Sequence, residues 1–271
     1  MNNPGLNSAL TGVARKITIT NTGLYDAKGL KTASSTLPLA TSISSNCNGV
    51  LPAGSSCQVM VTPGATPTTA PLAMAPTPVK LLVSGDNTNT SSIDIHILSY
   101  GSVYQAGYVF ALDDTTVSTT SVGGKTLALS PASNGEIWGP DGPTTGIPYG
   151  EGRATTRAVA DLFQGQPSAA KTCISSSAGG YSDWYLPGWC ELWGRCGSNT
   201  QSLLNTLFNI YPGIRDWPRS YWVADPQSQW DASSTTTAVS YDFQDQTTNV
   251  INPRSPRNQL KTTRCMRDLS S

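Results

Sequence analysis

Short runs that alternate apolar and polar residues fill the first third of the chain. Ile17-Thr18-Ile19-Thr20 runs into an Asn21-Thr22-Gly23 turn. The same period of two returns in Cys57-Gln58-Val59-Met60-Val61, Val79-Lys80-Leu81-Leu82-Val83 and Ile93-Asp94-Ile95-His96-Ile97-Leu98. Such patterning, bounded by Gly, Pro, Asn and Ser, predicts half-buried strands. Several of them at short spacing predict two antiparallel sheets packed face to face over residues 14–100. The Pro-, Thr- and Ala-rich stretch Pro63–Pro78 is predicted as a long loop inside this sandwich, because Val79–Ser99 still supplies strands that the sandwich needs.

From Tyr104 the pattern changes. Gly107–Leu112 and Lys125–Ser130 predict a first hairpin, the latter run following a Gly123-Gly124 turn. Ala158, Val159 and Leu162 recur at helical spacing within Ala154–Phe163, and Leu203, Leu204, Leu207 and Ile210 predict a second helix. Strands are predicted again at Tyr221–Ala224, Ala238–Phe243 and Leu260–Met266, so the order is strands, helices, strands: an α+β arrangement. The stretches Asp225–Thr237 and Gln244–Gln259 are predicted as long loops, and loops of that length usually carry functional surface. The division expected is residues 1–100 as an all-β sandwich and residues 101–271 as the α+β domain, a length suited to two domains.

Composition narrows the function classes. The formal net charge is +0 and only 13% of residues are charged, so an electrostatic grip on nucleic acid or an acidic membrane is not expected. Six cysteines, none in a Cys-x-x-Cys pair, and a single histidine favour disulfides over a zinc site and place the chain in an oxidising compartment. Cys47 and Cys57 would close a hairpin-like loop, whereas Cys173, Cys190, Cys196 and Cys265 admit three connectivities. His96 sits on the polar side of an alternating run with no nucleophile pattern beside it, which argues against a general-base role. Met1-Asn2-Asn3-Pro4 opens no apolar stretch of export-signal length, and no run approaches membrane-spanning length. The expectation is a chain whose export signal or lipid-bearing amino terminus lies upstream, with no membrane insertion of its own.

Two resemblances add to this reading. The "TNTG … LPAGSSC" pattern at Thr20–Gly23 and Leu51–Cys57 resembles bacterial immunoglobulin-like modules, which implies a spacing or presenting role for the first hundred residues. Gly180-Tyr181-Ser182-Asp183-Trp184-Tyr185-Leu186-Pro187 with Glu191-Leu192, then Tyr221-Trp222, Asp242-Phe243 and Arg264-Cys265-Met266-Arg267, resembles the carboxy-terminal domain of the Legionella collagen-like adhesin and its relatives. The opening Tyr104–Phe110 and the turn Ser121–Lys125 fit the same family over about residues 104–268. That family is similar to the formylglycine-generating-enzyme branch of the C-type-lectin-like fold. The resemblance implies core roles for Trp184 and Leu186, a helix starting at Pro187, and Arg264 and Arg267 flanking the last strand. It also makes Cys173–Cys265 and Cys190–Cys196 the leading pairings, with the other connectivities still open.

The chemistry of the wider fold does not transfer to these residues. The oxidative enzyme of that branch needs a dithiol late in the domain, where this chain has only Cys265. Asp225-Pro226-Gln227 and Trp230-Asp231 match neither calcium-lectin triplet, so no metal or other cofactor is expected. Ser121–Lys125 lacks P-loop spacing. The remaining expectation is a non-enzymatic binding protein on the outer cell surface, its partner a host or environmental glycan or protein, its oligomeric state open. Trp222, Asp225, Gln229, Trp230, Asp231, Tyr241, Asn249, Asn252, Arg254, Arg257 and Asn258 combine aromatic and adaptable polar groups suited to such contacts; packing in the core is an equal alternative for Trp222 and Tyr241, and Trp230, in a polar loop, is the better ligand candidate. Arg254, Arg257, Lys261, Arg215 and Arg219 are candidates for sulfate groups. Retroelement-diversified surface lipoproteins use the same fold, and a diversified receptor, or a structural module of a surface fibre, is the alternative.

Overall fold

The computed structural model describes residues 12–114, 121–193, 203–214, 220–226, 235–243 and 249–269, with backbone alone for 192–193, 203–206, 243 and 249–253. Strand dominates over helix, and the residues group into two compact units. One comprises Met1–Tyr104, Leu112–Gly124 and Leu269–Ser271; the other comprises Gln105–Ala111 and Lys125–Asp268.

The first unit is built of β1 (Arg15–Thr20), β2 (Ala27–Ser34), β3 (Ser42–Ser45), β4 (Gly49–Leu51), β5 (Ser56–Thr62), β6 (Val79–Ser84) and β7 (Ser91–Ile95), followed by the two-residue β8 (Val103–Tyr104). The first seven form two antiparallel sheets, ordered β1-β5-β3 and β4-β2-β6-β7. Alternation sets the inward faces: Cys57, Val59 and Val61 of β5 and Val79, Leu81 and Val83 of β6 are buried, and their neighbours along each strand point outward. These residues pack with Ala27, Leu30, Leu51, Ile95 and Ile97 into one aliphatic core, each fully buried Val, Leu or Ile contributing about 1.5–3 kcal/mol. The disulfide Cys47–Cys57 lies in that core. Residues 63–78 form the loop between β5 and β6, tied back by Thr68 N–H to Ile97 O and Leu72 N–H to Gly101 O. β2 was not visible in the sequence: Ala-Lys-Gly-Leu-Lys-Thr-Ala-Ser has little β propensity. Pairing with β4 and β6 and the burial of Ala27 and Leu30 recruit it.

In the second unit, β9 (Gly107–Asp113) and β16 (Met266–Asp268) flank β10 (Gly123–Ala128), with Lys125 opposite Asp268 and Leu127 opposite Met266. A five-stranded sheet runs β11 (Ser133–Glu136), β15 (Lys261–Thr263), β12 (Ser220–Trp222), β13 (Thr237–Phe243), β14 (Asn249–Pro256) in spatial order. Only β12–β15 is a parallel pair. Helices α1 (Gly152–Leu162), α2 (Ala169–Ile174), α3 (Trp189–Trp193) and α4 (Leu203–Ile210) complete it. The core gathers Trp138, Trp184, Trp222, Val159, Phe163, Leu186, Ala169 and Ala170 around the disulfide Cys173–Cys265. Cys190 is also disulfide-bonded; Cys196, its expected partner, lies outside the described residues.

Two expectations are corrected. The predicted single strand Leu260–Met266 is two strands in two sheets, β15 and β16. Its break carries Arg264, whose guanidinium donates to Ala128 O, Leu129 O and Ile214 O, and Cys265, bonded to Cys173. Both groups turn inward, which simple alternation cannot provide. The predicted loop Gln244–Gln259 contains β14, paired along β13 from Thr237↔Pro256 to Phe243↔Asn249. Pro253 and Pro256 hid it, but β14 is an edge strand, where proline is tolerated.

Candidate functional site

The signature residues meet in space. Arg267 on β16 is buried, and its Nε and Nη2 donate to Oδ1 and Oδ2 of Asp183 at 2.7 and 3.2 Å, while Nη1 donates to Gln105 Oε1 at 2.8 Å. The guanidinium lies 3.8 Å over the Tyr181 ring. A buried, bidentate and stacked arginine is fixed in position by every face it offers. The approach of the motif's first turn is equally restricted: Gly179 has φ +64°, and a Cβ there would lie 2.0 Å from Ala106 Cβ. Trp184 and Leu186 from the same run are in the core, and the Trp184 indole donates to Ala178 O.

Beside this clasp a second network joins β10, α1, α3 and β16. Lys125 Nζ contacts the Tyr185 hydroxyl at 2.7 Å, Asp268 Oδ1 at 2.6 Å and Glu191 Oε1 at 2.9 Å, which uses all three ammonium protons. Arg153 donates from Nε and Nη2 to Asp268 Oδ2 and stacks 4.7 Å over the Tyr185 ring. Burial opposes charge on Lys125, but Glu191 and Asp268 outweigh it and raise the amine above its ordinary value. Burial likewise works against ionised Asp268, yet Lys125, Tyr185 and Arg153 hold its carboxyl below the usual range. Burial, then the Glu191 and Asp268 charges, push the Tyr185 phenol up. A shallow depression of about 450 Å³ lies over the network, lined by these residues with Gly150–Ala154 and Arg157. Glu191 also accepts from Gly188 N–H, and a Cβ at Gly152 would meet the backbone Leu186 O at 2.6 Å and Gly188 N at 2.7 Å, so only glycine lets α1 start there. The acids and bases neutralise one another. This is bracing, with no nucleophile left activated.

The expected recognition residues divide. Trp222, Asp225, Tyr241 and Arg257 are interior, at 0–1% exposure; for Trp222 and Tyr241 this is the core placement that stood as their alternative. The Trp222 indole donates to Glu136 O at 2.7 Å. Asp225 accepts from Gly150 N–H and Trp189 N–H, both at 2.5 Å. Arg257 donates to Thr237 O, Gly142 O and Thr144 Oγ1 and stacks 4.8 Å over Trp138. Arg254 and Asn258 are exposed. Asn249 and Asn252 are on β14 with backbone alone described, and Gln229, Trp230 and Asp231 lie outside the described residues. Of the sulfate candidates, Lys261 faces Asp242 at 3.5 Å and the Trp222 ring at 5.5 Å; Arg215 and Arg219 are outside the described residues.

Sequence reasoning missed a polar line on the five-stranded sheet: Ser255 Oγ to Ser240 Oγ at 2.8 Å, Ser240 Oγ to Asp242 Oδ1 at 2.9 Å, then Lys261. Its one legible sign was Ser240 at an inward position of Ala238–Phe243. Among the described residues no group of three His, Cys, Asp or Glu is placed to hold a metal ion, and no helix is long and apolar enough to cross a membrane. His96, in the first unit, packs its ring 5.2 Å from Tyr104, and burial lowers its pKa. No protein-family model, curated protein or solved structure matches the chain.

Proposed function

We propose that the protein is an exported bacterial cell-surface binding protein, adhesin-like. Its second unit, a C-type-lectin-like domain, presents the loops between Asp225 and Asn258 to a glycan or protein, and its first unit is an immunoglobulin-like spacing module. One observation carries the reading. The strands β13 and β14 lie between two wholly buried charged residues, Asp225, which accepts from two distant backbone amides, and Arg257, which donates to backbone carbonyls and to the Thr144 hydroxyl. Connections carried on rigid anchors are the arrangement that recognition surfaces use. The disulfides support an oxidising, extracellular setting, and the resemblance of Gly180–Pro187 and Arg264–Arg267 to the collagen-like adhesin's terminal domain supports the choice of fold.

The test is a glycan array and a panel of extracellular proteins probed with the full chain. Retention on one of them is expected, lost on Trp230→Ala combined with Arg254→Ala and Asn258→Ala while thermal melting is unchanged. No retention on either surface, or retention that the triple variant leaves intact, overturns the reading.

A further inference from the structure

Asp225 stands at the exit of β12 with no exposed surface, and its two carboxylate oxygens reach two distant segments. Oδ1 takes the Gly150 amide of the turn before α1, and Oδ2 takes the Trp189 amide at the start of α3. The same residue's carbonyl accepts from Val239 N–H on β13, while Ala224 N–H donates to Pro187 O. Three segments far apart in sequence are thus tied at one carboxyl group, and residue 226 and the segment beyond it depart from that knot.

We propose that Asp225 is a proton-operated clamp: ionised, it ties the turns before α1 and α3 to the exit of β12, and on taking up a proton it loosens its hold on one of the two amides. A carboxylate accepts strongly at both oxygens, whereas in a carboxylic acid one oxygen carries the proton and is left an uncharged, weaker acceptor. The amide facing it then keeps only a weakened bond.

The surroundings favour that proton. Among the described residues no cation contacts Asp225. Burial raises its pKa most and the negative charge of Glu191 on α3 works in the same direction, while the amides of Gly150, Trp189 and Asp225 itself work against both; the outcome is a carboxyl pushed up to about 6. Lys125 of β10 and Tyr185 are engaged with Glu191, and Arg153 of α1 with Asp268 of β16. From the turn before α1, Tyr149 lies with its ring against Trp189, and Glu151 is exposed. On the strand side, Val239 N–H donates to the Asp225 carbonyl and Val223 N–H to Val239 O.

The sign follows from linkage. With a folded pKa above the unfolded value, the folded state binds more protons between about pH 6 and pH 4, so this group's contribution to stability grows as pH falls through that window and is lost as pH rises above it. Global stability and the local tie therefore move in opposite directions on acidification: removal of a buried charge stabilises the fold while one amide is held less tightly.

Amide NMR of the wild-type full chain across pH 7 to 4.5 tests this without any substitution. The Gly150 and Trp189 amide protons are expected to shift together, with a midpoint near pH 6. In parallel the melting temperature of the second unit rises by roughly 5–10 °C, and Asp225→Asn abolishes the pH dependence of that rise. If both amides stay fixed between pH 7 and 5, the proposal is wrong, whether or not the variant folds. The inference rests on the anchor and not on any ligand, so a failed array experiment leaves it standing.

Discussion

In the first unit the interior is aliphatic, made by alternate residues of facing strands, and among the described residues its buried charge is confined to Arg15 and Asp114. In the second unit three indoles share the interior with Asp225, Arg257, Arg264 and Arg267. The contrast separates two ways of specifying a fold. An aliphatic sandwich asks for volume and alternation, and tolerates exchange between residues of similar size. A core crossed by buried, fully bonded charges asks for particular atoms in particular places, because each one left unpaired costs several kcal/mol.

The comparison can be broken most directly at the disulfides. Cys173–Cys265 closes 92 residues and Cys47–Cys57 closes 10, so loop-closure entropy assigns the first about 4.6 kcal/mol and the second about 2.7 kcal/mol. Paired alanine substitutions followed by urea unfolding should reproduce that order. All seven tryptophans fall within the second unit, so tryptophan fluorescence should report the loss at Cys173–Cys265 and stay silent for Cys47–Cys57. A larger effect from the short bridge would undo the ranking.

The next effect sets one core residue against another. Arg267→Met should destabilise the second unit by about 3–5 kcal/mol, since it abandons the Asp183 carboxylate and empties the space over Tyr181. Leu81→Met, at an equally buried site of the first unit, should cost under about 1.5 kcal/mol. Equal losses in the two denaturation curves would mean that the units do not differ in kind. The smallest effect is expected at Lys80, whose pair with Asp94 joins two half-exposed side chains on β6 and β7. Lys80→Ala should change stability by no more than about 0.5 kcal/mol, read as unchanged hydrogen exchange at the Val59 and Leu81 amides.

The fold was legible where patterning is local. β1, β5, β6 and β7 follow from alternation, and α1 and α4 from helical spacing, within a few residues of their ends. β2 and β14 were not, because poor strand formers are held there by their neighbours' hydrogen bonds and not by their own preference. Which candidate side chains are interior was not legible. Polar and aromatic residues near a loop, such as Asp225, Arg257, Trp222 and Tyr241, look alike from the sequence whether they face solvent or anchor the loop from beneath. Burial separates them, and burial is a property of the whole packing.

By itself the sequence determined the strand-rich composition, the apolar faces of the regular elements, the oxidised cysteines and the stretch of chain between Asp225 and Asn258 that stands apart from both. Each of these depends on neighbours within a few residues, or on the count of a residue type. The tertiary structure alone decided that Asp183 meets Arg267 across 84 positions, that one predicted strand serves two sheets, and that Asp225 holds two distant amides. Those outcomes depend on which groups are removed from water together, and no local pattern records that.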